Sequence, residues 1–121
     1  MPVKRVLIAD SDRHLLGELE AALRTAPGEW DLVCALSSRD ALDQISRGTF
    51  NAIVLGAEAP GPEGLDLLAE VAARQPGAVR FLLSEQSDVQ WLVRASETVH
   101  QHLVKPLKAR EIFARLARTL G

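Results

Sequence analysis

The chain has 121 residues, of which 47% are hydrophobic and 25% charged, and its formal net charge is −2. This balance predicts one globular domain over residues 1–121, either complete or part of a longer protein, and gives no reason to expect binding to nucleic acid or a membrane. No apolar stretch approaches the roughly 20 residues of a membrane span. The one cysteine, Cys34, is predicted to be a buried, inert thiol, which fits a reducing cytoplasm.

Short apolar runs alternate with helical patterns through the first half of the chain. A strand is predicted over Val3–Ala9, followed by a helix over Arg13–Thr25 with Asp12 as its N-cap. A second strand covers Asp31–Leu36. The helix after it ends at Gly48 and carries cap residues and apolar positions at helical spacing, namely Ser37, Ser38, Ala41, Leu42 and Ile45.

The second half of the chain repeats this alternation three times. Strands are predicted over Ala52–Leu55, Val79–Leu83 and His102–Val104. The helices that follow them are predicted over Leu65–Arg74, Val89–Ser96 and Ala109–Leu120.

Apolar strands that alternate with helices predict an α/β fold in which a parallel sheet is covered on both faces. Five such units suit a flavodoxin-like (βα)5 three-layer sandwich with strand order 2-1-3-4-5. Ligands of such sheets bind outside the carboxyl ends of the strands. The residues expected there are Asp10, Ser11, Asp12, Gly56, Ser84, Glu85, Lys105 and Pro106.

These positions are where the chain resembles the receiver domains of bacterial two-component response regulators. The likeness covers Val6–Asp12, Ala59–Gly64, Leu83–Ser84 and Lys105–Pro106, in the family's order and spacing. Two further segments, Ser84–Asp88 and His100–Pro106, are similar to receivers that precede HDOD or HD-type output domains. The resemblance therefore implies two-component signal transduction, with residues 1–121 as a receiver-like domain that stands alone or begins a longer regulator.

The resemblance implies a phosphorylation pocket that is degenerate here. Receivers transfer a phosphoryl group to an aspartate with the help of Mg²⁺, a hydroxyl and a lysine. Asp10, Ser84 and Lys105 match the first acid, the hydroxyl and the lysine, while His102 matches the switching aromatic. Ser11 replaces the second metal-binding acid, and Gly56 replaces the phosphoacceptor. Phosphorylation at Gly56 is therefore excluded, since glycine carries no side chain.

A displaced acid is the alternative phosphorylation site. Glu58 follows Gly56 by two residues, but the receiver pattern implies that its side chain points away from the pocket. Asp10 and Asp12 are the other acids nearby, and Asp12 is expected to serve as a helix cap. A hydroxyl such as that of Ser11 attracts Mg²⁺ less than a carboxylate, so Mg²⁺ binding is expected to be weak at most, with no other cofactor.

Each pocket residue also has a purely structural interpretation. Asp10 resembles an ordinary strand-end loop or cap residue, and Gly56 could be a glycine that requires a positive φ. An ion pair between Lys105 and Asp10 would be a remnant of the pocket with a structural role only. No P-loop follows the glycines, and the histidines do not have metal-site spacing.

The predicted fourth helix carries more apolar residues than one buried stripe requires. Val89, Trp91 and Leu92 are candidates for an interface, with Trp91 facing outward, although Trp91 packed over the sheet edge as core is the alternative. The resemblance implies that the face formed by the fourth helix, fifth strand and last helix docks an output domain or a second copy of the chain.

The preferred interpretation is a non-enzymatic, cytoplasmic regulatory module that acts on a protein partner or a covalently linked output domain without standard aspartyl phosphorylation. The alternatives are a regulator phosphorylated at Glu58, Asp10 or Asp12, and a small flavodoxin-like ligand binder, which only the fold favours.

Overall fold

The computed structural model describes residues 3–56, 62–85, 101–105 and 108–120. Its strands are β1 (Lys4–Ala9), β2 (Trp30–Ala35), β3 (Ala52–Gly56), β4 (Val79–Glu85) and β5 (Gln101–Lys105). Its helices are α1 (Arg13–Arg24), α2 (Ser38–Arg47), α3 (Pro62–Arg74) and the C-terminal helix (Ala109–Leu120). The helix predicted over 89–96 lies outside the described residues.

The five strands form one parallel sheet in the order β2-β1-β3-β4-β5. The prediction of a parallel, flavodoxin-like sheet is therefore confirmed. The interior position of β1 explains its burial, since strands pair with it on both sides and helices cover its two faces. Within the described residues, no helix is long and apolar enough to cross a membrane.

The predicted element boundaries differ from the observed ones by a few residues. β2 begins at Trp30 rather than Asp31, because Trp30 pairs with Lys4 in the sheet register and its ring packs against Phe113 with centroids 5.3 Å apart. α3 begins at Pro62 rather than Leu65, a position in the first turn where proline costs a helix no hydrogen bond.

Two apolar clusters cover the two faces of the sheet. One contains Leu7, Ile53 and Leu82 with residues of α2 and α3, including Ile45, Leu68 and Val71. The other contains Ile8, Val54 and Phe81 with the buried stripes of α1 and the C-terminal helix, including Leu16, Leu19, Ile112 and Leu116. Alternate residues of each strand therefore belong to opposite clusters, as the pleat requires.

A buried side chain, Gln75, fastens the connections at the amino end of the sheet. Its amide nitrogen donates to the carbonyls of Ile45 and Gly48 at 3.2 and 2.8 Å, and its carbonyl oxygen accepts from the N–H of Phe50 at 3.1 Å. Gln75 is 7% exposed, so it replaces water as the partner of these backbone groups. These contacts hold the amino end of the sheet without involving the residues at its carboxyl end, where ligands of such sheets bind.

Replacing Gln75 with leucine is expected to destabilise the domain by about 2–3 kcal/mol, because it leaves buried backbone groups without partners. Denaturant unfolding measures this loss. Arg74→Gln is the matched control, since it removes only a surface ion pair with Glu70 and should cost less than about 1 kcal/mol. Equal losses in the two variants would contradict the role given to Gln75.

Candidate functional site

Asp10 directly follows β1, an interior strand, at its carboxyl end. Its backbone N–H donates to the carbonyl of Ala35 at 3.0 Å, which extends the pairing of β1 with β2 by one residue. The residue is 3% exposed, so its carboxylate is placed among protein atoms rather than in solvent. Asp10 is therefore the buried acid of this sheet edge.

The Asp10 carboxylate is joined to the start of α1. Its Oδ1 accepts a hydrogen bond from the backbone N–H of Asp12 at 2.9 Å. Asp12 Oδ1 in turn accepts from the N–H groups of His14 and Leu15 at 3.1 and 3.2 Å. The prediction that Asp12 caps α1 is confirmed, because its carboxylate accepts from backbone N–H groups that have no partner within the helix.

Gly56 is the last residue of β3 and pairs with Leu83 of β4. Its φ lies outside the left-handed region, and among the described residues the glycine with positive φ is Gly28. The interpretation that Gly56 is needed for a positive φ is therefore wrong. The space beside Gly56 is instead sterically tight: a Cβ at this position would overlap Asp10 Oδ2 and lie 2.9 Å from Asp10 Cγ and 3.0 Å from the Ala9 carbonyl oxygen.

The backbone brings the other predicted pocket positions to the neighbouring strands. Ser84 of β4 pairs with Val104, and Lys105 ends β5 opposite Glu85, so both lie at the carboxyl edge of the sheet. His102 is one strand position below this edge, opposite Leu82. Ser11 follows Asp10 and is exposed. Glu58, Val89, Trp91 and Leu92 lie outside the described residues.

The donor atoms described at this edge fit Mg²⁺ poorly. Asp10 contributes a carboxylate that already accepts from Asp12, Ser11 contributes a neutral hydroxyl, and Gly56 contributes no side chain. Mg²⁺ prefers hard oxygen ligands in octahedral geometry and usually relies on carboxylates. Among the described residues, no three His, Cys, Asp or Glu side chains form a group that could hold a metal ion.

Cys34 is partly rather than fully buried, which corrects one detail of its prediction. It lies on the edge strand β2 and packs against the cluster that includes α1. Burial, and to a smaller extent the negative charge of Glu20, raises the pKa of the Cys34 thiol. A thiol with a raised pKa is largely protonated at neutral pH and reacts slowly, in agreement with an inert role.

The comparison with known proteins identifies the family. Residues 6–117 match the model of the response regulator receiver domain, so the chain belongs to the response regulator receiver family. The resemblance inferred from the four sequence motifs is thereby confirmed at the level of the family.

Solved structures share the fold over nearly the whole chain. A CheY-like receiver domain protein from Methanospirillum hungatei is 22% identical with a TM-score of 0.83, covering 98% of this chain and 94% of that one. The signal receiver domain of an HD domain-containing protein from Pseudomonas fluorescens is 24% identical, also with a TM-score of 0.83, covering 98% and 95%. An adenylate cyclase structure from Rhodopirellula baltica is 25% identical with a TM-score of 0.81, covering 97% and 87%.

Sequence reasoning missed the steric pairing of Asp10 with Gly56. The motifs placed both residues at the same edge, and strand order 2-1-3-4-5 makes β1 and β3 neighbours. The signal that could have found the pairing was therefore the register, in which Ala9 stands opposite Leu55 and the next residues are Asp10 and Gly56.

Asp12→Ala is expected to destabilise the domain by about 1 kcal/mol, because two N–H groups at the start of α1 lose their acceptor. Asp12→Asn is the matched control and should change stability by only a few tenths of a kcal/mol, since asparagine caps helices equally well. Thermal or denaturant unfolding measures both. A large loss in the asparagine variant would show that Asp12 does more than cap the helix.

Alkylation of Cys34 by iodoacetamide in the native domain is expected to be slower at neutral pH than alkylation of the unfolded chain, because the folded thiol has the higher pKa. The rate should keep rising with pH beyond the ordinary thiol pKa. Mass spectrometry of quenched time points measures it. A rate that reaches its plateau at or below neutral pH would instead identify an activated thiolate.

Proposed function

We propose that this domain is a receiver-like regulatory module that acts through protein–protein contacts, without aspartyl phosphorylation at position 56 and without catalytic activity of its own. Receiver domains of two-component signalling are regulatory, and membership of this chain in that family supports the general role. The proposal that the domain acts without phosphorylation at position 56 rests on the geometry of the candidate site. The observation that carries it is the absence of a nucleophile at Gly56, with the Asp10 carboxylate in the space where a side chain would begin.

The remaining chemistry of the pocket supports the same proposal. Phosphoryl transfer to an aspartate needs an attacking carboxylate and a cation that neutralises the developing charge. Gly56 supplies no carboxylate, and Ser11 supplies no charge to hold the cation. Mg²⁺ binding is accordingly proposed to be weak at most, and no other cofactor is proposed.

Displaced acids are poor replacements for the acceptor. Asp12 is engaged by the N–H groups of His14 and Leu15, and Asp10 is 3% exposed and accepts from the N–H of Asp12. Attack by the Asp12 carboxylate would weaken the cap of α1, and the Asp10 carboxylate would first have to become exposed to a phosphoryl donor. Glu58 lies outside the described residues, so labelling with acetyl phosphate decides whether Glu58 accepts a phosphoryl group.

The proposed partner is a separate protein or a covalently linked output domain in the cytoplasm. An HD-type output domain is proposed from the segments Ser84–Asp88 and His100–Pro106. The similar receiver from the HD domain-containing protein of Pseudomonas fluorescens is 24% identical, so it bears on the fold alone. Docking, or pairing with a second copy of the chain, is proposed at the face that includes Val89, Trp91, Leu92 and the C-terminal helix, with no direct binding to nucleic acid or membrane.

Incubation with acetyl phosphate and Mg²⁺ is expected to leave the domain without a phosphoryl adduct, because the acceptor carboxylate is missing. Intact-protein mass spectrometry at short times measures adduct formation. A receiver that retains its aspartate, treated in parallel, confirms that the donor is active. Stoichiometric phosphorylation of this chain, mapped by borohydride reduction to Glu58, Asp10 or Asp12, would overturn the proposal in favour of a displaced acceptor.

A further inference from the structure

We propose that Asp10 is a latch that holds the acceptor pocket of this domain closed, and that glycine at position 56 is what allows the latch to close. The Asp10 carboxylate would then have two tasks: its Oδ2 fills the acceptor position beside β3, and its Oδ1 holds the start of α1. The inference rests on the proposed function in one respect, since it takes position 56 as the acceptor position of the family.

The Asp10 carboxylate occupies the volume beside Gly56. A Cβ added there would overlap Asp10 Oδ2 and stand 2.9 Å from Asp10 Cγ, closer than real Cβ atoms approach other heavy atoms. The Ala9 carbonyl oxygen, at 3.0 Å, limits movement of the strand backbone on the same side. Any side chain at position 56 therefore requires the Asp10 carboxylate to turn away.

Turning the Asp10 carboxylate away would break its hydrogen bond to the start of α1. Asp10 is 3% exposed, and its Oδ1 accepts from the N–H of Asp12 at 2.9 Å. Rotation of the carboxylate removes this bond at the residue that caps α1. The occupant of position 56 on β3 is thereby coupled through Asp10 to the first turn of α1.

Other glycines of the chain leave more room for a side chain. An added Cβ at Gly17 in α1 or at Gly77 before β4 meets no heavy atom within 4 Å. At Gly48 it would lie 2.8 Å from Arg5 Nη1, but that atom ends a long, flexible side chain that can move away. Close approach to a short, buried side chain therefore distinguishes Gly56 from these glycines, and Gly17 and Gly77 supply matched controls.

With the Asp10 carboxylate beside Gly56, the pocket keeps one arrangement whether or not a phosphoryl donor is present. An aspartate restored at position 56 would compete with Asp10 for the same space, so Gly56→Asp alone is not expected to rebuild the acceptor geometry. Both Gly56 and Asp10 therefore prevent phosphorylation at this position. The sequence alone points only to Gly56.

The test is a double-mutant cycle read by denaturant unfolding. Gly56→Ala is expected to raise the unfolding equilibrium constant about tenfold in the wild-type background, as overpacking of a tight site does. In an Asp10→Ala background the same change is expected to have only about a twofold to threefold effect, because the Asp10 carboxylate is gone and the Ala9 carbonyl oxygen alone remains close. In an Asp10→Asn background the effect should stay near tenfold, since the amide has the shape of the carboxylate.

Gly77→Ala serves as the control for adding a methyl group where nothing obstructs it, and should leave the unfolding constant within about twofold or improve stability. If Asp10→Ala does not fold, Asp10→Ser takes its place in the cycle. Hydrogen exchange at the Asp12 amide gives a second readout that needs no Asp10 variant: Gly56→Ala should accelerate it by at least about tenfold relative to neighbouring amides.

An equal effect of Gly56→Ala in the wild-type and Asp10→Ala backgrounds, or unchanged exchange at the Asp12 amide, would overturn the latch. These results are separate from those of the acetyl phosphate experiment. Labelling of the wild-type chain would refute the proposed function, whereas an additive cycle would refute the latch and leave an acceptor-free receiver in place.

Discussion

The close approach of the Asp10 carboxylate to Gly56 is the constraint on which the character of this pocket depends. It places a buried acid beside a strand end that carries no side chain, at the edge where a parallel sheet offers its binding site. The same carboxylate orients the first residues of α1 through the Asp12 N–H. Glycine at position 56 and the placement of the neighbouring carboxylate are thus two parts of one packing arrangement.

Much of what holds the fold lies away from this edge. Two apolar clusters cover the faces of the sheet, and polar contacts of Gln75 and Arg5 hold the connections at the opposite edge. Arg5 reaches Asp31 at 3.0 Å and the Thr49 carbonyl at 3.0 Å. These contacts are remote from Asp10 and Gly56, so the receiver fold forms here with no side chain at position 56.

Sequence patterns predicted the elements whose signals are local and periodic. The caps Asp12 and Ser37, the end of α2 at Gly48 and the bounds of the C-terminal helix follow from residue preferences and helical spacing. The motifs placed Asp10 and Gly56 at one sheet edge, but not their contact, because a steric overlap depends on strand register and on one side-chain rotamer. The role of Gln75 was hidden for a similar reason, since its three backbone partners are far away in the chain.

The most direct test of a pocket closed to phosphoryl chemistry is an NMR titration of the ¹⁵N-labelled domain with Mg²⁺ and beryllofluoride, a mimic of the phosphorylated state. No saturable shift changes are expected at the amides of Asp10, Ser11, Asp12 and Gly56, since position 56 carries no carboxylate and the described residues offer no suitable set of metal ligands. Saturable changes centred on these amides, at concentrations where an intact receiver responds, would contradict it.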